Sequence, residues 1–263
     1  MLEVLKVRLP LPSSTSSTSS TSSTSSTFGL EHPEHLDHLS PVAASTLPIF
    51  PLPLVLFPGV TIPLHIFEPR YRRMLADCLE RDRRFGIIFL AEGASEETLG
   101  IGGEVGCVGH VLTHEELADG RSNITVAGRD RFTLRAYVTS SLPYHVGMVV
   151  PYEDAPEPVA LLEPLATRVR ERFERIARAA RTISDDEDAI PDLPDDPALL
   201  AFGVASFIDL NVVERQRLLA STSPGERLRT VDGVLAPAVD PMEQRAVVHE
   251  RSKTNGHGGV AHL

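Results

Sequence analysis

Few residues in this sequence have the type and spacing that chemistry demands. Of 25 basic residues only two are lysines, Lys6 and Lys253, both near the chain ends. A phosphate-binding P-loop, a Ser–Lys dyad and a Schiff-base site each need a lysine, so none fits the middle of the chain. The patterns G-x-S-x-G, H-E-x-x-H and C-x-x-C are absent, and His114-Glu-Glu-Leu-Ala118 lacks the second zinc-binding histidine. Cys78 and Cys107 form neither a disulfide framework nor a zinc pattern. His32, His35 and His38 are spaced by three, but with two nearby prolines they read as a solvated tail with chance metal affinity, as do His249, His257 and His262. His65 lies in an apolar run and reads as a core histidine with one hydrogen bond; Glu68, Arg70 and Arg72 read as a structural ion pair at a helix start. Gly100 to Gly106 faintly resembles a dinucleotide loop, but a β-branched run follows where that fingerprint needs a helix.

The elements that must position these groups change character along the chain. Residues 47–59 are apolar and broken by prolines, which remove ladder donors, so they read as edge strands and turns. Thr61–Phe67 is a short extended run. Pro69 opens a helix of about fifteen residues whose apolar positions Tyr71, Met74, Leu75, Cys78 and Leu79 share one face. Strands are expected at Phe85–Ala91, Val105–Thr113, Asn123–Ala127, Phe132–Val138 and His145–Pro151. Asp119-Gly120 marks a hairpin and Gly128-Arg-Asp130 marks a second turn. After Pro158 the apolar period becomes helical. Leu162, Leu165, Val169, Phe173, Ile176 and Ala180 form one stripe, followed past an acidic break by helices at Pro197–Ile208, Val213–Ala220 and Pro224–Leu235.

Composition narrows the class. The 263 residues carry a formal net charge of −11 and are 42% hydrophobic. Such a charge argues against a general nucleic-acid binder, which needs cations to displace phosphate counterions. The arginines at 168, 170, 172, 175, 178 and 181 read as a solvated helix face partly balanced by Glu171 and Glu174, with an RNA-binding ridge as the bolder reading. No apolar run approaches the ~20 residues of a membrane span, and the first residues make a poor signal peptide. A reduced cytoplasmic chain is therefore expected. Residues 13–27 are Ser and Thr only and should be disordered; Val42 is an alternative start. The expected organisation is a tail over 1–45, a β-rich unit over 46–157, a helical bundle over 158–236 and a disordered tail over 237–263.

The run from Leu47 to Tyr71 closely resembles the opening of the N-terminal domain of Lon proteases. Leu56-Phe-Pro-Gly59, Pro63-Leu64 and His65-Ile-Phe-Glu-Pro-Arg-Tyr71 carry the match. Gly106-Cys-Val-Gly109, Asp119-Gly-Arg121, Gly128, Arg131-Phe132, Arg215-Gln-Arg-Leu-Leu219 and Arg227-Leu228 follow in family order, so the likeness covers about residues 46–236. It implies an α+β fold, a β-rich PUA-like pseudo-barrel followed by a C-terminal helical bundle. It also implies a substrate-recognition role, with no ATPase or peptidase domain expected in this chain, no cofactor and no catalytic residue.

The expected function is thus a non-catalytic module for unfolded or tagged polypeptide, an adaptor or chaperone-like factor working with a protease or chaperone partner. Extended peptides add to strand edges or lay side chains into apolar grooves. Leu54, Leu56, Phe57, Ile66 and Phe67 supply apolar surface for this, although most of them must also fill the core. Two other readings stay open: an RNA-associated protein, and a small-molecule sensor or hydrolase using His65, His110, His114 and Glu68. A monomer or weak homodimer is expected.

Overall fold

The computed structural model describes residues 44–95, 103–186 and 190–256. Six strands come first: β1 (Ser45–Leu52), β2 (Thr61–Ile66), β3 (Arg84–Phe89), β4 (Val105–Glu116), β5 (Ser122–Val138) and β6 (Val146–Pro151), with helix α1 (Pro69–Leu79) between β2 and β3. Helices α2 (Val159–Ser184), α3 (Pro197–Phe207), α4 (Val212–Ala220), α5 (Pro224–Leu235) and α6 (Val239–Gly256) follow. The fold is α+β, a pseudo-barrel and then a helical bundle.

The sheet order is β2-β5-β4-β3-β1-β6, and β5 also pairs with β6. That extra pairing closes β5, β4, β3, β1 and β6 into a ring and leaves β2 outside it, hydrogen-bonded only along β5. Only β1 and β3 run parallel. The long strand β5 makes this possible: residues 122–127 carry β2 and residues 132–138 carry β6. The turn expected at Gly128-Arg-Asp130 is therefore not a turn. Gly128 stays in the strand and exchanges backbone bonds with the β1–β2 loop, Gly59 N to Gly128 O at 3.0 Å and Gly128 N to Val60 O at 2.8 Å. A Cβ there would lie 2.0 Å from the Phe57 carbonyl oxygen. The glycine serves a close backbone approach. Gly120, at φ +78°, does turn the chain between β4 and β5 as the Asp-Gly pair predicts.

Inside the ring, Leu47, Ile49, Ile88, Phe132, Leu134 and Val149 form a small cluster. The main core lies outside it. Phe50, Phe85 and the α1 residues Tyr71, Met74, Leu75 and Cys78 belong to one continuous buried cluster with Val169, Phe173, Phe202, Leu228 and Val231 of the helices. Pro at the first turn opens α1, α3 and α5, and Asp196, Asn211 and Ser223 cap α3, α4 and α5 through their side chains.

Over residues 239–256 helix α6 replaces the tail expected over 237–263; residues 257–263 lie outside the described residues. Val239, Met242 and Ala246 are buried on a helix that packs along α2. With only these three core positions in a polar segment, its amphipathic signal is faint. The Ser/Thr tract, the histidines at 32, 35, 38, 257 and 262, and part of the Gly100–Gly106 loop lie outside the described residues.

Candidate functional site

Strand β2 alternates strictly. Ile62, Leu64 and Ile66 turn inward while Thr61, Pro63 and His65 face solvent. Phe67 continues the outward parity just past the strand and is 59% exposed. Its ring stacks near the His65 ring, centroids 6.1 Å apart. The register places His65 opposite Asn123 of β5, and Asn123 opposite Glu115 of β4. Side chains follow that register: His65 Nδ1 lies 2.8 Å from Asn123 Oδ1, and Asn123 Nδ2 donates to Glu115 Oε2 at 3.3 Å. Pro63, His65, Thr113, Glu115, Asn123 and Thr125 line an open trough of about 430 Å³. The ladder fixes the imidazole beside an exposed aromatic ring.

The five expected binding residues separate. Leu56, Phe57 and Ile66 are 1%, 1% and 2% exposed. They are core residues and offer no surface to a ligand; Phe57 stacks on Phe202 instead, at 5.3 Å. Leu54 is half-buried against the same core. Phe67 alone stands free in solvent. His65 is exposed, not a core histidine, because it shares Phe67's parity. Glu68 and Arg70 do pair, at 3.0 Å. His65, His110 and His114 do not converge. His114 faces the other side of the sheet, opposite Ile124, where its Nε2 lies 3.1 Å from Ser122 Oγ. His110 stands opposite Ala127, four β5 positions from His65's partner, roughly 13 Å along the strand.

A second polar cluster joins strands to helices. Arg227 of α5 forks onto Asp154, Nη1 to Oδ1 at 2.5 Å and Nη2 to Oδ2 at 2.6 Å. Arg131 of β5 donates to the same Oδ1. Arg131 also donates to the Leu219 and Ser221 carbonyls, both at 2.7 Å. Arg227 donates to those of Ser221 and Ala198, at 2.9 and 2.8 Å. Tyr152 Oη donates to the Ala220 carbonyl at 2.7 Å. At Leu219, Ala220 and Ser221 these donors satisfy carbonyls left open where α4 ends. The Phe202 ring sits 4.5 Å from the Arg227 guanidinium. Burial pushes the Arg131 pKa down, and Asp154 opposes that shift. Arg131-Phe132 and Arg227-Leu228 stand out in the sequence, but Asp154 carries no signal there: an acidic pair in Glu153-Asp-Ala155 looks like solvated loop.

The arginine-rich helix is largely engaged within the molecule. Arg168 and Arg172 pair with Asp232, Arg175 with Glu243 and Arg178 with Glu174, while Arg170 and Arg181 donate to the Pro194 and Asp186 carbonyls. Its cations serve helix packing, which weakens the RNA-ridge reading. Both thiols are buried, and burial pushes each pKa up to about 12, opposite to an activated nucleophile. Among the described residues no group of three metal-binding side chains occurs, and no helix is long and apolar enough to cross a membrane.

Comparison with known proteins agrees with this architecture. The family model described as the ATP-dependent protease La (LON) substrate-binding domain matches residues 46–236. Lon protease 2 of Bdellovibrio bacteriovorus is 28% identical over 212 residues, 77% of this chain and 26% of that protein. Lon protease 2 of Herpetosiphon aurantiacus is 29% identical over 208 residues, covering 76% and 25%. The chain thus spans about a quarter of the length of these relatives. Two solved structures share the fold. The Lon N-terminal domain protein from Xanthomonas campestris aligns with a TM-score of 0.50 and 24% identity, over 71% of this chain and 96% of that one. The N-terminal domain of Mycobacterium avium complex Lon protease aligns at 0.53 and 19%, over 73% and 98%. From its opening apolar run to the arginine that closes on Asp154, this chain belongs to the LON substrate-binding domain family.

Proposed function

We propose that the protein recognises unfolded or tagged polypeptide without transforming it, as a cytoplasmic adaptor or chaperone-like factor that hands its cargo to a protease or chaperone. The family supports substrate recognition as the role. The exposed Phe67 at the end of β2, beside the trough under His65, supports this face as the place. Among the described residues one edge of β2 has no strand partner, so its backbone groups offer themselves to an extended segment, and Phe67 offers an apolar anchor next to them. Pro63 limits the edge to short segments and guards it against pairing without end.

Fluorescence anisotropy with a labelled, reduced and carboxymethylated α-lactalbumin tests the reading. Binding should weaken about three- to tenfold in Phe67→Ala, the loss of one aromatic anchor, and stay unchanged in Val213→Ala, a distant exposed valine on α4. Absence of binding to this probe and to a peptide array of unfolded sequences would overturn the proposal.

A further inference from the structure

Helix α6 has two faces. Val239, Met242 and Ala246 are buried, and His249 and Lys253 on the same side both reach Asp185 at the end of α2. The opposite side faces solvent. There Asp240, Gln244, Val247 and Arg251 succeed one another at spacings of four, three and four, the spacing of coiled-coil contact positions with Val247 alone apolar. Val248 lies beside them. Val247 and Val248 are 45% and 66% exposed, and with Asp240, Glu243, Gln244 and Arg251 they line an open groove of about 490 Å³, Glu243 being held by Arg175 of α2. The Asp240 side chain is 82% exposed, its nearest cation Arg175 at 3.9 Å. Arg251 has no ion-pair partner among the described residues.

The order of charges along this seam is self-complementary. Asp240 and Arg251 are equidistant from the midpoint between Gln244 and Val247. A second α6 laid antiparallel about that midpoint sets Asp240 of each copy against Arg251 of the other, and Gln244 against Val247, over roughly 16 Å of helix. A parallel copy would set like charge against like. The two-fold arrangement is the one that turns a single patch into its own partner, and it covers two adjacent β-branched residues left exposed among the described residues.

We propose that this face of α6 is a homodimer contact, an antiparallel α6–α6 pair with Asp240–Arg251 ion pairs at both ends. One helix per copy is a small contact, so the dimer is weak and reversible. Sedimentation equilibrium on the full chain tests it, from roughly 5 to 500 μM, the range expected for so small an interface. The wild-type protein should show a monomer–dimer equilibrium. Arg251→Glu makes both ends repulsive and should weaken dimerisation roughly tenfold. The double variant Asp240→Arg/Arg251→Glu should restore the wild-type constant. Val248→Glu, which leaves the end pairs in place, should also dissociate the dimer. All three positions, 240, 248 and 251, are exposed, and unchanged helicity by circular dichroism verifies folding. A wild-type protein that stays monomeric throughout, a dimer indifferent to Arg251→Glu, or a charge swap that fails to restore association overturns the proposal, leaving another protein or the chain's own final residues as the occupant of this face.

Discussion

Arg227 lies fork-to-fork on Asp154, two parallel hydrogen bonds of 2.5 and 2.6 Å from a side chain with no solvent exposure. Asp154 comes from the segment that leaves the last strand and Arg227 from the fifth helix, and Arg131 of β5 closes on the same carboxylate. Two buried cations thus depend on one anion. Removing that anion strands both, whereas removing the Tyr152 hydroxyl loses a single neutral hydrogen bond. Asp154→Ala is therefore expected to cost about 3–5 kcal/mol, as for other buried pairs broken on one side. Tyr152→Phe is expected to cost about 1 kcal/mol. Urea unfolding monitored by circular dichroism reads both; similar costs for the two variants would contradict this ranking.

Gly128 is fixed by a neighbour rather than by its own backbone angles. Because a Cβ would fall 2.0 Å from the Phe57 carbonyl oxygen, Gly128→Ala must push the β1–β2 loop off the strand. A loss of about 2–3 kcal/mol is expected, as for an overpacked core. Gly233→Ala, with nothing within 4 Å of its Cβ, should be neutral or stabilising because it sits in α5. Thermal melts of the two variants compare them directly.

Gly128 also marks where sequence reading stops. Gly-Arg-Asp has turn composition, and only the tertiary contact with Phe57 explains why it is strand. Elements with local punctuation were legible: the Pro-opened helices and the Asp-Gly hairpin. Helix α6 was not, since three buried positions in a polar segment leave little periodicity. The apolar surface was legible as a region but not residue by residue. Five apolar residues can be named from the run 54–67, but which of them point outward depends on strand parity. Alternation from Thr61 to Phe67 separates Phe67 and His65 from Ile66, and that signal was present in the sequence. The partners Asn123, Glu115 and Asp154 were not, because register and long-range approach bring them in.

Asp77 is buried beneath Tyr144, whose hydroxyl donates to it at 2.7 Å. That bond, and then Arg73, hold the Asp77 carboxyl below its ordinary range against the opposing effect of burial. A depressed carboxylate contributes stability above its unfolded pKa and loses it as pH falls through the folded value. Tyr144→Phe should therefore cost about 1–2 kcal/mol at pH 7. The difference from wild type should shrink as pH falls below about 4, where the carboxylate protonates. Urea midpoints at pH 7, 5 and 3 check the sign; a difference that grows toward pH 3 would contradict it.

The thiols Cys78 and Cys107 are 2% and 0% exposed, with pKa values pushed up to about 12. Neither should react with Ellman's reagent at pH 8 in the native protein, and both should react at once in guanidinium. A fast native reaction of either thiol would show an opening of α1 or β4 that the packing does not suggest.

The most direct test of substrate recognition on the β2 face is backbone hydrogen exchange with and without saturating carboxymethylated α-lactalbumin. The account predicts slowed exchange at the outward amides of Thr61–Ile66 and at Phe67, with little change in α3 and α5. Bound polypeptide that leaves β2 exchanging at its free rate, or that protects a different surface instead, would contradict it.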